Sequence, residues 1–508
     1  MLFGDILRQN AMKFPNKTAL ICGDDRVSYL ELNSQVNRLA NTLLATGMKK
    51  GDRVAVVADN CIQYVEAYYA VAKGGMIIVP INTTLDSSGV SYLINDTGAG
   101  TVIFGENYSD TINSIYPGLK TVNNYIAIGN AAKAESYEEL VSRYSPDEPE
   151  VAIDEDDTIG IWYTSGTTGW PKGVAVSHKS LISEIVNMML NGYPINRNDV
   201  NLAILPLSHL GGQYLMKNHF YIGGTSVLLE TLEPKLILET IEREKVTTSL
   251  FTPAVVFAIT DYSDVNRYDV SSIRIIMYAG APLPEGAQSR MNEIFGDILM
   301  QCYGASEVPV IMMPPLLEGP WEKVKRPGSC GKEITGIEVR LVNEEGDDVA
   351  QGEIGELLVR GDNMMKGYWN MPEETAKVLE GGYFHTGDLA TKDDEGYYYV
   401  VGRKEDTIVT GGKPVYSAEV ESVISLHPSI SEVAVIDVPD VRLGKLVKAV
   451  VVLKVGEKAS EEDIIKWCAS RLEAYKVPKS VDIVDSLPRT AIGKILKRAL
   501  RDRYSKGE

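Results

Sequence analysis

Short apolar runs alternate with amphipathic segments over most of the chain before Lys332. The run "DRVAVVA" is followed by the helix-like "CIQYVEAYYAVAKGG" and then by "MIIVPIN", and "TVIFG", "TSVLLE" and "IRIIMYAG" continue this order. Helix-like segments such as "PKLILETIEREK" lie between the later runs. Because strands that alternate with helices are typical of β-α-β units, the pattern predicts an α/β fold with mainly parallel sheets.

The pattern changes twice along the chain. From about Lys332, "GIEVRLVNEEGDDVAQGEIGELLVRG" and "GYYYVVGRK" predict short antiparallel strands with glycine turns. Beyond Arg403, the strand-like "ISEVAVIDVPD" and "LVKAVVVLKV" accompany a helix that begins with a capping box at Ser460 and Asp463. We therefore predict an N-terminal domain over residues 1–403 and a small α+β domain over residues 404–508, with the boundary in "GRKEDTIVTGG".

Composition is that of a large globular protein. The chain has 508 residues, of which 44% are hydrophobic and 23% charged, and this length exceeds what one hydrophobic core usually serves. The formal net charge of -19 argues against nucleic acid or an anionic membrane as the main partner. Any polyanionic ligand must therefore be bound by a local group of cations and backbone amides.

The cysteines, the histidines and the N-terminal residues argue against several other classes of protein. The five cysteines are scattered and never form C-x-x-C, and the five histidines lack metal-ligand spacing, which disfavours a disulfide scaffold and a zinc site. The first residues, "MLFGDILRQNAMKF", predict an amphipathic helix and not a signal peptide. No apolar run is long enough for a membrane span, so we expect a cytoplasmic protein without an integral membrane segment.

The segment Tyr163–Gly173, "YTSGTTGWPKG", combines glycines, hydroxyl side chains and a lysine. Backbone amides beside glycine, hydroxyl groups and a lysine are suited to binding phosphate oxygens. The segment is not a Walker A loop, because Pro171 stands where that motif needs glycine and Gly173 where Ser or Thr would bind magnesium. It follows the strand-like "TIGIWY" and precedes the helix-like "SHKSLISEIVNMML", so we predict a phosphate-binding loop of another design.

This segment resembles the signature of the adenylate-forming superfamily, which includes acyl-CoA synthetases, aryl-CoA ligases, firefly luciferases and amino-acid adenylation domains. Further motifs follow in that family's order: "YAGAPLP", "YGASE", "YFHTGD", "GRKEDTIVTGG" and "PRTAIGKILK". The resemblance covers essentially the whole chain and favours the acyl-CoA synthetase branch. It implies a large N-terminal α/β domain with a small β-barrel-like subdomain, and a small C-terminal domain that is mobile.

The resemblance implies a ligase that uses ATP, coenzyme A and Mg²⁺. The carboxylate of a fatty, alicyclic or aromatic acid attacks ATP to give an acyl-adenylate and pyrophosphate, and the thiol of CoA then displaces AMP. A carboxylate is already ionised at neutral pH, so the first step needs charge neutralisation and positioning, and no base. Activation for a carrier protein, luciferase-like oxidation and a non-catalytic nucleotide-binding module remain alternatives, and a homodimer is the default assembly.

The resemblance also assigns expected roles in nucleotide binding. The β- and γ-phosphates would be held by Thr164, Ser165, Gly166, Thr167, Thr168, Gly169 and Lys172. Thr164 and Glu307 would lie at the magnesium ion. Tyr303 would stack on adenine in a pocket that Ala281 also lines, and Ser306 keeps a hydroxyl where the family usually has Thr. Asp388 would accept hydrogen bonds from the ribose hydroxyls, and Arg403 would reach the ribose or phosphates.

Four further positions would serve the acid and the thiol. By resemblance, Lys494 would bridge the attacking carboxylate and the α-phosphate, and His209 would lie near that carboxylate or the thiol channel. Glu405 matches the family's hinge position, and Gly411 would line the pantetheine tunnel after rotation.

The acid itself stays open, although its charge is constrained. The segment between Asn201 and Leu229 contains no acidic residue, which disfavours an amino-acid substrate because a buried ammonium group needs a partner. Lys217 in this segment is expected to be solvated, with pairing to a dicarboxylic acid as the alternative.

The role of Lys494 can be tested by substitution. We expect Lys494→Ala to lose at least about a hundredfold in acyl-adenylate formation, because oxyanion-type donors typically contribute that much to the rate. Acid-dependent pyrophosphate release measures this step. Adenylation at the wild-type rate would show that Lys494 has been assigned wrongly.

Overall fold

The structure is a computed structural model that describes residues 1–164, 171–280, 283, 285–319, 321–454, 456–489 and 495–505. Its α-helices are, in chain order, α1 (Asp5–Lys13), α2 (Tyr29–Ala45), α3 (Ile62–Lys73), α4 (Ser87–Thr97), α5 (Ser109–Ile115), α6 (Tyr137–Ser142), α7 (His178–Leu190), α8 (Leu210–Ile222), α9 (Pro234–Glu244), α10 (Pro253–Thr260), α11 (Glu285–Phe295), α12 (Trp321–Val324), α13 (Pro372–Val378), α14 (Ser417–Ser425), α15 (Glu461–Ala469) and α16 (Lys497–Ser505).

Its β-strands are, in chain order, β1 (Thr18–Cys22), β2 (Asp25–Ser28), β3 (Arg53–Val57), β4 (Ile77–Pro80), β5 (Thr101–Gly105), β6 (Asn124–Ile128), β7 (Glu135–Ser136), β8 (Thr158–Thr164), β9 (Lys172–Ser177), β10 (Val200–Ala203), β11 (Thr225–Leu228), β12 (Thr248–Phe251), β13 (Ile275–Tyr278), β14 (Leu299–Gln301), β15 (Met312–Met313), β16 (Lys332–Glu333), β17 (Ile337–Val342), β18 (Gly355–Gly361), β19 (Gly367–Tyr368), β20 (Phe384–Lys392), β21 (Tyr398–Arg403), β22 (Thr407–Thr410), β23 (Lys413–Tyr416), β24 (Ile430–Asp440), β25 (Gly444–Leu453) and β26 (Ser480–Ile483).

Two mainly parallel sheets form the large N-terminal part of the protein. The first has the strand order β14-β13-β12-β10-β11-β1-β2, and β2 runs antiparallel to β1 at its edge. The second has the order β19-β9-β8-β4-β3-β5-β6-β7, and its antiparallel end consists of β8, β9 and β19. The helices between the strands make these β-α-β units, which confirms the predicted α/β fold.

Helix α3 lies between the two sheets. It contacts β1 of the first sheet and β3 and β4 of the second, and it is buried on nearly every side. Its sequence, "IQYVEAYYAVAK", is apolar around most of its circumference, as a helix enclosed by two layers requires. Burial extends to Glu66, whose carboxylate accepts a hydrogen bond of 2.6 Å from the Tyr137 hydroxyl on α6.

The chain beyond Lys332 is mainly antiparallel, as predicted. Strands β17, β18, β20 and β21 form one four-stranded sheet, and β24, β25 and β26 form a separate sheet with its own apolar core. The predicted capping box is present, because Ser460 and Asp463 bond reciprocally at the start of α15. That helix ends at Ala469. Within the described ranges, no helix is both long and apolar enough to cross a bilayer.

The buried Glu66 predicts a pH-dependent term in stability. Burial raises the pKa of Glu66 from 4.5 to about 7, so the folded state holds a proton that the unfolded state has lost. This contribution is therefore lost as pH rises from about 4.5 to about 7. We expect Glu66→Gln to remove a decline on the order of 3 kcal/mol in the free energy of unfolding over this range.

Urea unfolding at several pH values measures this difference. Glu373→Gln is the control, because Glu373 is exposed on α13 and should leave the pH profile unchanged. Parallel profiles for the wild type and Glu66→Gln would contradict the prediction.

Candidate functional site

The predicted phosphate loop connects two antiparallel strands. Thr164 at the end of β8 pairs with Lys172 at the start of β9, so the two ends of the loop are adjacent. The predicted strand-loop-helix order was incomplete, because β9 lies between the loop and α7. The Ser177 hydroxyl caps α7 by accepting a hydrogen bond from the Ser180 amide.

Some predicted site residues lie outside the described residues. They are Ser165, Gly166, Thr167, Thr168, Gly169, Ala281 and Lys494.

Lys172, the predicted phosphate-binding cation, already has two partners. Its Nζ atom lies 2.8 Å from Glu374 Oε2 on α13 and 5.0 Å from the centre of the Tyr368 ring. The Lys172 side chain is 19% exposed, whereas that of Glu374 is 39% exposed. The lysine is therefore held at the edge of solvent by a carboxylate on one side and an aromatic face on the other.

Glu307, the predicted magnesium residue, contacts the same tyrosine. The Tyr368 hydroxyl donates a hydrogen bond of 2.7 Å to Glu307 Oε1, and the Met365 amide donates one of 2.7 Å to the Glu307 carbonyl. Burial and the nearby Glu307 carboxylate raise the pKa of Tyr368, which keeps its hydroxyl protonated as a donor. Lys172 and Glu307 thus lie on two sides of one side chain.

The site is suited to a magnesium ion that is held mainly by substrate phosphates and water, and less by the protein. The described part of the chain contains no group of three or more His, Cys, Asp or Glu residues that could hold a metal. Mg²⁺ usually binds one or two carboxylates together with substrate phosphates and water, so a single carboxylate at Glu307 fits it. Thr164 lies at the end of β8, and its hydroxyl contacts the Lys172 carbonyl at 3.4 Å.

Tyr303, Asp388 and Arg403 form a second group of contacts. Arg403 Nε lies 2.8 Å from Asp388 Oδ1, and the Tyr303 hydroxyl donates to Asp388 Oδ2. A carboxylate can accept roughly four hydrogen bonds, so Asp388 retains capacity for ribose hydroxyls. The bond at the hydroxyl fixes the Tyr303 ring without using its face. Ser306 is half-buried in the adjoining turn, where the Ala305 amide donates to the Val308 carbonyl.

The segment between Asn201 and Leu229 differs from the expectation at Lys217. Its Nζ atom forms an ion pair with Glu184 of α7, and both side chains are 0% exposed. The prediction of a solvated lysine was therefore wrong, because α8 is buried on nearly all sides. Burial raises the pKa of Glu184, and the paired Lys217 opposes that shift. His209 stands at the N-terminal end of α8, where the Gly212 amide donates to its carbonyl.

The predicted hinge is anchored on both sides. Lys404 forms an ion pair of 2.8 Å with Glu356 on β18, whereas Asp406 pairs with Arg501 on α16. Glu405 lies between them in a short 3-10 helix, and its side chain forms no ion pair with any residue that the structure describes. Gly411 lies in the turn between β22 and β23, with φ of 54°, and its amide donates to the Leu443 carbonyl. Only Glu405 is thus left unanchored within the Lys404–Asp406 helix.

The motifs did not reveal Tyr368, Glu374 or Glu184. Tyr368 and Glu374 lie in "KGYWNMPEET", between two of the quoted motifs, and the ion pair from Lys172 to Glu374 spans 202 residues. The available signal for these two residues was an aromatic residue and two acidic residues that follow a glycine closely in the sequence.

Known proteins match the chain over nearly its whole length. The family described as AMP-binding enzyme matches residues 7–369, and its C-terminal domain matches residues 419–494. A feruloyl-CoA synthase of an Amycolatopsis species is 35% identical over 98% of this chain and 98% of its own. A long-chain-fatty-acid–CoA ligase of Mycobacterium tuberculosis is 34% identical over 99% of this chain and 98% of its own.

Solved structures agree with these matches. The crystal structure of an anthranilate CoA ligase in complex with anthranoyl-AMP superimposes with a TM-score of 0.92 at 28% identity, covering 100% of this chain and 98% of that one.

The anchored hinge predicts that the two half-reactions separate in a hinge variant. Proline fixes φ and restricts the preceding residue, so Glu405→Pro should hinder rotation at this point. We expect it to spare acyl-adenylate formation and to slow thioester formation at least about tenfold, because the resemblance implies that the small domain rotates before the second step. Single-turnover assays of the two steps measure this, with Glu405→Ala as the freely rotating control. Equal loss of both steps in Glu405→Pro would contradict it.

Proposed function

This chain belongs to the AMP-binding enzyme family, and we propose that it is an AMP-forming ligase that joins an organic carboxylic acid to coenzyme A. ATP supplies the energy, and AMP and pyrophosphate are released. The matched relatives include ligases that are named for CoA thioesters, which supports CoA as the acceptor.

One observation carries the proposal: groups suited to each part of ATP lie in two adjoining sets of contacts. Lys172 and Glu307 share the Tyr368 side chain, and Tyr303 shares the Asp388 carboxylate with Arg403. Glu307 lies four residues after Tyr303, and its carboxylate is close enough to Arg403 to help raise the pKa of that guanidinium, so the two sets adjoin. A cation suited to phosphate, a carboxylate suited to Mg²⁺, a ring suited to adenine and a carboxylate suited to ribose thus lie near one another, which supports the proposal.

In the first step a carboxylate oxygen of the acid attacks the α-phosphorus of ATP. The bond between the α-phosphorus and the oxygen that bridges to the β-phosphate breaks, and pyrophosphate leaves with the electron pair of that bond. Lys172 would offset charge on the departing phosphates, and Lys494 would bring the carboxylate to the α-phosphate. Glu307 would hold Mg²⁺ together with the phosphates, and the ion would supply further charge neutralisation.

In the second step the CoA sulfur attacks the acyl carbon of the adenylate. The thiol proton passes to solvent, the bond between the acyl carbon and the AMP oxygen breaks, and AMP leaves with the electron pair of that bond. Glu405 is the point about which the small domain would turn between the steps, because its neighbours are fixed to different parts of the protein. Gly411 lies in the small domain that would turn, and its lack of a side chain would admit the pantetheine arm.

The acid is expected to lack a positive charge. Glu184 on α7 reaches α8, and the ion pair with Lys217 already neutralises it. A substrate ammonium group would therefore find no free carboxylate on Glu184, and leaving it buried without a partner is costly. We propose a fatty, alicyclic or aromatic acid, activated in the cytoplasm, where ATP and CoA are both present.

A panel of acids tests this function. We expect sustained pyrophosphate release with ATP, Mg²⁺, CoA and one class of short, medium, branched, alicyclic or aromatic acid. Omitting CoA should leave a single burst, because the adenylate stays bound. In the complete reaction, mass spectrometry should detect the acyl-CoA product. Pyrophosphate release without any thioester would favour a carrier protein as acceptor, and no release with any acid would overturn the proposal.

A further inference from the structure

Lys172, to which the proposed function gives the phosphates of ATP, is already paired with a carboxylate. Lys172 Nζ lies 2.8 Å from Glu374 Oε2, a distance typical of a charged hydrogen bond. That bond lowers the pKa of Glu374, so the carboxylate is ionised at neutral pH. A triphosphate approaching Lys172 would therefore meet an anion already bound to its cation.

Glu374 is presented to Lys172 by a well-anchored segment. The Thr375 hydroxyl next to it accepts a hydrogen bond of 2.8 Å from the Tyr368 amide, and the Thr375 amide donates to the Met371 carbonyl at 3.0 Å. Tyr368 in turn pairs with Val174 on β9, two residues beyond Lys172. Gly367, with φ of 150°, allows this close packing, because a Cβ there would lie 2.6 Å from Thr375 Cγ2.

Lys172 has a second contact that does not depend on Glu374. Its Nζ atom lies 5.0 Å from the centre of the Tyr368 ring, and the Tyr368 hydroxyl is held by Glu307. If the ion pair with Glu374 opens, the ring still holds the ammonium group near Glu307. The lysine can therefore exchange one anion for another without losing its position.

We propose that Glu374 is a placeholder for the triphosphate, a positioning residue that pairs with Lys172 in the empty enzyme and yields it to the phosphates of ATP. This rests on the proposed function, in which Lys172 binds those phosphates. When pyrophosphate leaves, Glu374 pairs with Lys172 again and so favours release of that product. Glu374 thus limits the affinity of the site for ATP and for pyrophosphate alike.

The test compares two neighbouring glutamates on α13. Glu374→Gln removes the competing charge, and we expect the Kd and KM for ATP and the inhibition constant for pyrophosphate to fall about two- to fivefold, the size expected for a partly exposed ion pair. The kcat should fall by no more than about twofold, since the pair is absent while ATP is bound and re-forms only as pyrophosphate leaves. Glu373→Gln is the matched control: it removes the same charge at an exposed position, one residue away, that forms no ion pair within the described residues.

A double variant distinguishes competition for Lys172 from the general effect of removing one negative charge near the site. In a Lys172→Met background ATP binding should be weaker, and adding Glu374→Gln should give no gain. Equal Kd values for Glu374→Gln, Glu373→Gln and wild type would overturn the proposal. Weaker ATP binding in Glu374→Gln would also overturn it, because the carboxylate would then support the bound nucleotide.

The wild-type enzyme distinguishes this failure from failure of the proposed function. If the wild type releases pyrophosphate with an acid while Glu374→Gln leaves ATP affinity unchanged, only the placeholder role fails. If no acid triggers release but Glu374→Gln still tightens ATP binding relative to Glu373→Gln, the placeholder role stands and the ligase function fails.

Discussion

The Tyr368 side chain makes the contact on which the charged part of the site depends. Its hydroxyl donates to Glu307, and its ring lies beside the Lys172 ammonium group, so one residue fixes a carboxylate and a cation that are far apart in sequence. The position of Tyr368 follows from backbone pairing, because β19 is the last strand of the second sheet and runs beside β9. The sheet edge thus sets the spacing of the charges.

This local arrangement offsets the overall charge of the protein. A net charge of -19 repels polyanions at long range, but salt screens such a field within about 10 Å at ordinary ionic strength. Binding a triphosphate is then decided by groups in direct contact with it. Glu374 lowers the free charge at Lys172, whereas the Tyr368 ring leaves that charge intact.

Periodicity and motifs in the sequence predicted the α/β class, the antiparallel part after Lys332 and the capping box of α15. They missed β9, because "KGVAVS" is short and stands directly before a helical pattern. Lys217 was misjudged for a different reason: its partner Glu184 comes from another helix, and spacing within one segment shows nothing of a contact between helices. Contacts of Tyr368 and Glu374 likewise depend on strands that meet only after folding. The roles of the nucleotide-site residues and the boundary after Arg403 stay predictions.

The ion pairs of Lys404 and Asp406, on either side of Glu405, leave a very short free connection between the large and the small domain. Lys404 is tied to β18 and Asp406 to α16, so the free connection is about one residue long. A tether this short keeps the small domain at a high effective concentration beside the large one, in the millimolar range or above. If the parts before and after Glu405 were supplied as two separate fragments, they would have to meet by diffusion, and turnover would then depend on protein concentration.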